Sequence, residues 1–501
     1  MDRFNIKYFI LFCITFFELC ASSLDQKELA LHHFMQGEYL MNQGNYALAV
    51  LEFQDAIELD PNAPTIHVSI SDAYMRLGKI KRAEDHLEIA IELDPNENEA
   101  FEMLGQLFVS QKRFFDAEEV FKKLSLSAPD NIDYIFALAD LAQIQNEWDL
   151  AIDYYIKGYE LNNLAINGLE QALQIALTTN KLKRAENICE LLLREDPKNI
   201  VLLQTMKDLT LFNKNYNYAL EILNKIETIS GDTPDISIQK SLIYEELNQP
   251  VEAIDVIIEY FKKDSQNVDI LNRLVTLFID QNENKKAKIY NEKIVDNFPE
   301  DPRGFINNAI ISMGDKKPET AVSILSPHAE KFSMDFMFNY LLGTAYYQIK
   351  DYDNSKEFLL KALSIYPQSR NTKHNLALIY DSSGEWGESD KLYMELISSD
   401  STDAQAYNNY AYSLVERNIN IQFALELAKN AIRIAPKSAA YLDTIGWIYY
   451  KLKQYDEALG YIKESLVLDS ENITIKEHFD EIVKQKAEMN KSKVQQIGAQ
   501  D

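Results

Sequence analysis

The chain has 501 residues, which is too long for one compact core, so it folds as several domains or as an elongated array of similar units. Apolar residues make up 46% and charged residues 26%, proportions that exclude a disordered chain. The net charge of −28 disfavours nucleic acids and anionic membrane surfaces as partners, because both are negatively charged. The acidic residues are spread along the chain, as on a solvated outer surface; attraction of a basic partner is the alternative interpretation.

The first 23 residues have the layout of a secretory signal peptide. Two basic residues precede the apolar run "YFILFCITFFELC", and the small residues "ASS" follow it. The apolar run is short for a membrane-spanning helix, so we expect cleavage after Ala21, Ser22 or Ser23. An uncleaved anchor and a lipid on Cys20 are the alternatives. The sequence therefore predicts an exported protein, periplasmic or associated with the cell envelope.

Removal of this segment would leave Cys189 as the last cysteine of the mature chain. No intrachain disulfide is then expected, and stability must come from packing. Cys189 follows the apolar pattern of its segment, which predicts a small buried hydrophobic residue; a reactive thiol is the alternative.

The remainder of the chain repeats one pattern. The segments "YALAVLEFQDAIELDPN", "IKRAEDHLEIAIELDPN" and "FFDAEEVFKKLSLSAPD" begin at Tyr46, Ile80 and Phe114, 34 residues apart. This period predicts repeats that start at residues 30, 64, 98, 132, 166, 200, 234, 268, 302, 336, 370, 404 and 439. The last step is one residue longer, which places an extra residue in the turn "ERNINIQ" of repeat twelve.

The twentieth position of each repeat is small. It is occupied by Ala49, Ala83, Ala117, Ala151, Ala185, Ala219, Ala253, Ala287, Ala321, Ser355, Ser389, Ala424 and Ala458. Bulky residues such as Phe53 and Leu87 follow four positions later, one helical turn along the same face. Several repeats also carry a proline near their end, as at Pro61 and Pro95, where it stops the second helix.

These features resemble the tetratricopeptide repeat, a helix-turn-helix unit of 34 residues. The resemblance implies an all-α fold, a right-handed superhelical solenoid of about 13 repeats over residues 24–472. Residues 473–489 are predicted to form a capping helix that covers the last repeat. Residues 490–501 are predicted to be a disordered tail.

The resemblance also implies which residues bind a partner. In this family, positions 2, 5, 6, 9, 12 and 13 of each repeat line a concave wall built from the first helices, and this wall binds extended peptides. The polar and aromatic residues at such positions near the C-terminus include Tyr340, Tyr347, Asn371, His374, Asn375, Asp381, Asn408, Asn409, Tyr412, Asp443, Trp447 and Tyr450. Carboxamides can both donate to and accept from a peptide backbone, and aromatic rings add contact area. A wall that is polar only for solubility is the alternative.

The sequence contains no motif for catalysis. It has no glycine-rich phosphate loop, no histidine pair around a glutamate, no CxxC and no GxSxG. We therefore predict that the chain is not an enzyme and needs no cofactor or metal. His33 and His67 share one register in adjacent repeats, so a metal site with His32 and Glu38 is the alternative to simple packing.

We predict a non-catalytic scaffold or adaptor of the bacterial cell envelope that binds a peptide or partner protein. The segments "YNNYAYSL" and "YLDTIGWIYYKLKQYDEAL" resemble the C-terminal repeats of bacterial exported repeat proteins. One alternative is a regulatory or substrate-presenting subunit of an envelope enzyme, such as a glycosyltransferase or a protease. Another is a self-assembling array. Contact with the membrane is expected only if the N-terminal segment is retained or Cys20 is lipidated.

Overall fold

The structure, a computed structural model, describes the backbone of residues 26–497 and the side chains of residues 26–490. The predicted signal peptide, residues 1–23, lies outside the described residues. The described chain is helical, without strands, and divides into two compact halves at Gly231. None of its helices is long and apolar enough to cross a membrane.

The N-terminal half contains six helix pairs, in which an odd-numbered helix A is followed by an even-numbered helix B. The helices are α1 (26–42), α2 (Tyr46–Leu59), α3 (Pro64–Arg76), α4 (Ile80–Leu93), α5 (Asn98–Ser110), α6 (Phe114–Ser127), α7 (Ile132–Ile144), α8 (Trp148–Leu161), α9 (Ile166–Thr178), α10 (Leu182–Glu195), α11 (Ile200–Phe212) and α12 (Tyr216–Ser230).

The C-terminal half contains seven more pairs and one long final helix. The helices are α13 (Pro234–Glu246), α14 (Pro250–Lys263), α15 (Val268–Asp280), α16 (Asn284–Asn297), α17 (Arg303–Gly314), α18 (Pro318–Leu325), α19 (Phe336–Gln348), α20 (Tyr352–Ile365), α21 (Arg370–Ser383), α22 (Trp386–Ser399), α23 (Ala404–Glu416), α24 (Ile421–Ile434), α25 (Ala439–Lys451), α26 (Tyr455–Leu468) and α27 (Ile473–Ile497). Within each half, a helix packs on its sequence neighbours, as expected of a solenoid, and the all-α solenoid fold is confirmed.

From α3 to α25, each helix A begins at the residue predicted to open a repeat, except that α17 begins one residue late, after Pro302. Helix B of this ninth repeat is also unusual, since α18 ends at Leu325 and a 3₁₀ turn follows over Ser326–His328. Pro327 explains the change, because proline has no N–H to continue an α-helix.

The turn from helix A to helix B has the same geometry along the chain. A residue with positive φ ends helix A, and the next N–H bonds back to the last turn; Lys79 N donates to the Tyr74 carbonyl at 2.8 Å after Gly78. In repeat twelve, both Asn418 and Asn420 have positive φ. Asn420 is therefore the extra residue, and it is absorbed between α23 and α24.

The helix pairs cross at small residues. All position-twenty alanines and serines are completely buried. Helix A also has a glycine at the crossing in several repeats; a Cβ on Gly446 would lie 2.7 Å from the Ile462 side chain. At one of the two serines, Ser355, the hydroxyl donates to the Gly343 carbonyl at 2.7 Å. The hydroxyl thus finds a partner inside the crossing.

Helix α27 packs on α25 and α26 and covers the last repeat. Ile475 and Ile482 are its buried apolar contacts. The helix is longer than predicted, since residues 490–497 continue it instead of forming a disordered tail. The segment has no glycine or proline before Gly498, so nothing in its backbone stops the helix. Residues 498–501 lie outside the described residues.

Candidate peptide-binding site

The first helices of the last three repeats and the cap helix together line an open cavity of about 270 Å³. We refer to it as the C-terminal cavity. Its lining residues are Leu378 and Asp381 of α21, Asn408, Asn409 and Tyr412 of α23, Ala440, Asp443 and Thr444 of α25, and Asn472, Thr474 and Ile475 at the start of α27.

The repeat period explains why these residues meet. Neighbouring A helices pack side by side, α21 on α23, α23 on α25 and α25 on α27. Residues at equal positions in successive repeats therefore fall on one surface. Asn408 and Asp443 both occupy position five, and Asn409 and Thr444 both occupy position six. Five of the residues predicted to lie on the binding wall, Asp381, Asn408, Asn409, Tyr412 and Asp443, thus line one cavity.

The two adjacent asparagines contact each other. The Asn408 Nδ2 group donates to the Asn409 Oδ1 atom at 3.3 Å. Asn408 is only 7% exposed, and its own Oδ1 atom is buried with no hydrogen-bond partner in the described part of the chain. A buried acceptor without a partner costs about 1–3 kcal/mol. The Asn408 carboxamide therefore has unused capacity to accept a hydrogen bond.

Asp381 lies at the α21 side of the cavity within a network of hydroxyl groups. Its carboxylate accepts hydrogen bonds from Ser389, from Ser413 at 2.7 Å and from Tyr393 at 2.9 Å. Burial and the negative charge of Asp381 raise the pKa of Tyr393. Asp381 is thus held in one position by three donors.

Asp443 lies at the α25 side and is also buried. The Nδ1 atom of His478, on α27, lies 2.9 and 3.0 Å from its two carboxylate oxygens. Beside it, the Thr444 hydroxyl donates to the Ala440 carbonyl at 3.0 Å. Burial, followed by the charges of Glu416 and Asp443, raises the pKa of Tyr412.

Trp447 and Tyr450, two other predicted site residues, hold the cap helix instead of lining the cavity. The Trp447 ring stacks on His478 and on Tyr450, with centroid distances of 4.1 and 4.6 Å. Its Nε1 donates to Glu416 at 2.8 Å, and the Tyr450 hydroxyl donates to Glu481 at 3.2 Å. Both rings are therefore engaged by the chain itself.

Further predicted residues also lie outside the cavity lining. His374 is buried, and its Nε2 lies 2.9 Å from Asp403, which accepts from the first turn of α23. Asn375 donates to Thr344 at 3.3 Å. Asn371 is exposed; Tyr340 stacks on Phe336, and Tyr347 packs beside Tyr352.

The residues of α27 in the lining were not among the predicted site residues. Asn472 caps α27, where its Oδ1 accepts from Thr474 N at 3.1 Å, and Thr474 and Ile475 follow in the first turn. The signal was present in the sequence, because Thr474 is position two of a further helix A. Extending the register beyond residue 472 would have found it.

The predicted alternatives elsewhere have different partners in the structure. His33 Nδ1 lies 2.8 Å from Glu52. Asp55 is also close, so these three residues form a cluster of side chains of the kinds that bind metals. His67 Nδ1 instead lies 3.0 Å from His86 Nδ1. Cys189 is fully buried, and burial raises the pKa of its thiol to about 11, so it is a thiol at neutral pH.

Comparison with known proteins gives matches to one kind of repeat. Models of the tetratricopeptide repeat match residues 40–107, 338–369 and 439–472. A TPR repeat-containing protein of Methanocaldococcus jannaschii is 22% identical over 423 residues, covering 72% of this chain and 74% of that protein. The type IV pilus assembly protein PilF of Pseudomonas aeruginosa is 28% identical over 131 residues, covering 26% of this chain and 51% of that protein.

Among solved structures, the Cut9 and Hcn1 hetero-tetramer of the APC/C contains a chain that is 13% identical to this one. The match covers 90% of this chain and 96% of that chain, with a TM-score of 0.43. Tetratricopeptide repeats form scaffolds for protein–protein interaction. The 34-residue period, the helix pairs and the repeat models that match both halves together show that the chain contains tetratricopeptide repeats.

Proposed function

We propose that the chain is a non-catalytic scaffold that binds an extended segment of a partner protein in the C-terminal cavity. The observation that supports this most directly concerns Asn408, a lining residue whose buried Oδ1 atom has no hydrogen-bond partner in the described chain. Binding of a donor there would remove the cost of an unsatisfied acceptor.

A polypeptide suits the remaining lining residues. Asn409 and Asn472 carry carboxamides, which match the alternating donors and acceptors of a peptide backbone. Leu378 and the exposed ring of Tyr412 add apolar contact area beside them. Such a lining holds a backbone with polar contacts and packs against its side chains.

We also propose that the protein acts after export, in the bacterial cell envelope. This proposal is supported by the basic, apolar and small-residue order of residues 1–23. Intact-mass measurement of the natural protein tests it. Loss of residues 1–21, 1–22 or 1–23 is expected, whereas a full-length mass or an acyl chain on Cys20 would contradict cleavage.

Selection of peptides from a random displayed library on the full chain tests the binding site. The peptides retrieved are then measured against two variants, Asn409→Ala and Asn375→Ala. Both asparagines occupy position six of their repeats, and both are half-buried, but only Asn409 lines the cavity. They are therefore matched in residue type, register and exposure.

We expect Asn409→Ala to weaken binding roughly tenfold, because the Asn408 amide loses its anchor and the peptide loses a partner. Asn375→Ala should bind the peptides as the unchanged chain does. Equal losses in both variants, or in neither, would contradict the proposed site. Thermal melting of each variant verifies that the repeats remain folded.

A further inference from the structure

Three lining residues of the C-terminal cavity, Asn408, Asp443 and Thr444, retain capacity to accept hydrogen bonds. The Asn408 Oδ1 atom accepts nothing from the described chain. The Thr444 hydroxyl gives its hydrogen to the Ala440 carbonyl, so its lone pairs remain for accepting. The Asp443 carboxylate receives one donor, His478 Nδ1, although its two oxygens can accept about four hydrogen bonds.

Both charged residues that line the cavity are acidic. Asp381 and Asp443 are both lining residues, and no lysine or arginine occurs among the described residues that line the cavity. Burial is the largest cause of the raised pKa values of the tyrosines around the cavity, and this negative charge adds to the effect. Asp381 contributes to raising the pKa of Tyr393 and of Tyr347, and Asp443 contributes to raising that of Tyr412.

We propose that the C-terminal cavity binds a primary ammonium group of the partner, either a lysine side chain or an N-terminal amine. This inference rests on the function proposed above and assigns the chemistry of the group that enters. An ammonium carries three donors and a compact positive charge. Asn408, Thr444 and Asp443 offer acceptors on two neighbouring helices, and the two carboxylates compensate the charge.

The same contacts disfavour a guanidinium. Arginine binds best to the parallel oxygens of one carboxylate. Both oxygens of Asp443 already face His478, and both oxygens of Asp381 accept hydroxyl groups. Neither carboxylate therefore has two free parallel oxygens for a guanidinium. The acceptors that remain are single atoms on different residues, and these suit an ammonium.

Ala440 provides a way to change the charge of the cavity without altering the core. It lines the cavity, is exposed, and lies in the first turn of α25. Ala440→Arg and Ala440→Gln each add a long polar side chain at this point, but only the first adds a positive charge. The difference between them isolates repulsion of a cation from steric obstruction. Ala487→Arg, at an exposed position of α27 outside the lining, is the control for charge elsewhere.

The experiment uses the cavity-dependent peptides selected from the random library on the full chain. Each is synthesised in four forms: unchanged, acetylated at the N-terminus, with every lysine replaced by norleucine, and with both changes. A fifth form replaces lysine by arginine. Dissociation constants are measured by fluorescence polarisation at low and high salt.

We expect that neutralising one amine of the peptide weakens binding about tenfold or more. A loss on acetylation identifies the N-terminal amine as the bound group, and a loss on replacement by norleucine identifies a lysine. Ala440→Arg should weaken binding more than Ala440→Gln, and high salt should reduce the difference. If every amine-neutralised form binds as tightly as the unchanged peptide, the ammonium assignment is wrong, while the proposed function remains intact. If no selected peptide depends on Asn409, the proposed site fails and the assignment fails with it.

Discussion

His478 on the cap helix and Asp443 on the last repeat form a buried polar pair, with His478 Nδ1 at 2.9 and 3.0 Å from the two carboxylate oxygens. Asp443 is 7% and His478 9% exposed. The same histidine ring stacks on Trp447. Because Asp443 also lines the C-terminal cavity, the contact that attaches α27 is continuous with the candidate binding site.

Replacing His478 by Ala should loosen α27. Asp443 would lose its partner while buried, and Trp447 would lose a stacked ring, at a cost of about 1–3 kcal/mol. Hydrogen exchange should become faster in α27 and remain unchanged in the N-terminal half. Val483→Ala, at an exposed site of the same helix, is the control. Unchanged protection of α27 in His478→Ala would show that its apolar contacts suffice.

Trp447→Ala should have a similar effect on α27, because the ring contacts both His478 and Tyr450. Trp447→Phe should restore part of the protection, since a smaller ring can still stack. The measurement is again hydrogen exchange of α27, with thermal melting for the remainder of the chain. If Trp447→Ala weakens peptide binding without loosening α27, the indole itself contacts the ligand.

Substitution of Ala117 by Leu tests the helix crossing. Ala117 is completely buried at position twenty of repeat three, so a larger side chain must displace α5 or α6. We expect the free energy of unfolding to fall by roughly 1–3 kcal/mol. Ala487→Leu, at an exposed site, should change it little. Identical melting curves for the two variants would contradict the assigned register.

The His67 and His86 pair predicts acid sensitivity in the N-terminal half. Burial and the neighbouring His67 lower the pKa of His86 from 6.5 to about 4. Below pH 6.5 the unfolded chain binds a proton that the folded chain does not, so stability falls as the pH decreases towards 4. The half-buried ring is partly screened by solvent, so we expect a loss of about 1–2 kcal/mol.

His86→Phe isolates this contribution. The phenyl ring can keep the stacking on Tyr74 but cannot titrate. Unfolding by urea is compared at pH 7 and at pH 5 for both proteins, which share all other titratable groups. The variant should lose less stability on acidification. A loss as large as that of the unchanged chain would exclude the histidine pair as its cause.

The repeat period allowed the sequence to predict the fold in detail, because each helix A reuses one pattern of small and bulky residues. The same register predicted that Asn408 and Asn409 lie on one binding wall, and both residues line the C-terminal cavity. It could not predict that Asn408 is buried, since burial depends on how closely α23, α25 and α27 approach. Nor could it predict that Trp447 would stack on His478, which lies outside the counted repeats.

The turn between α23 and α24 is one residue longer than its equivalents, yet α24 and α25 pack as their counterparts do in the other repeats. A change in the length of this turn thus leaves the packing of the helices on either side unchanged. A short epitope tag or a dye-labelling sequence inserted between Asn418 and Asn420 should leave the last two repeats assembled. The turn offers an attachment point from which the capture of a partner can be followed without altering the binding surface.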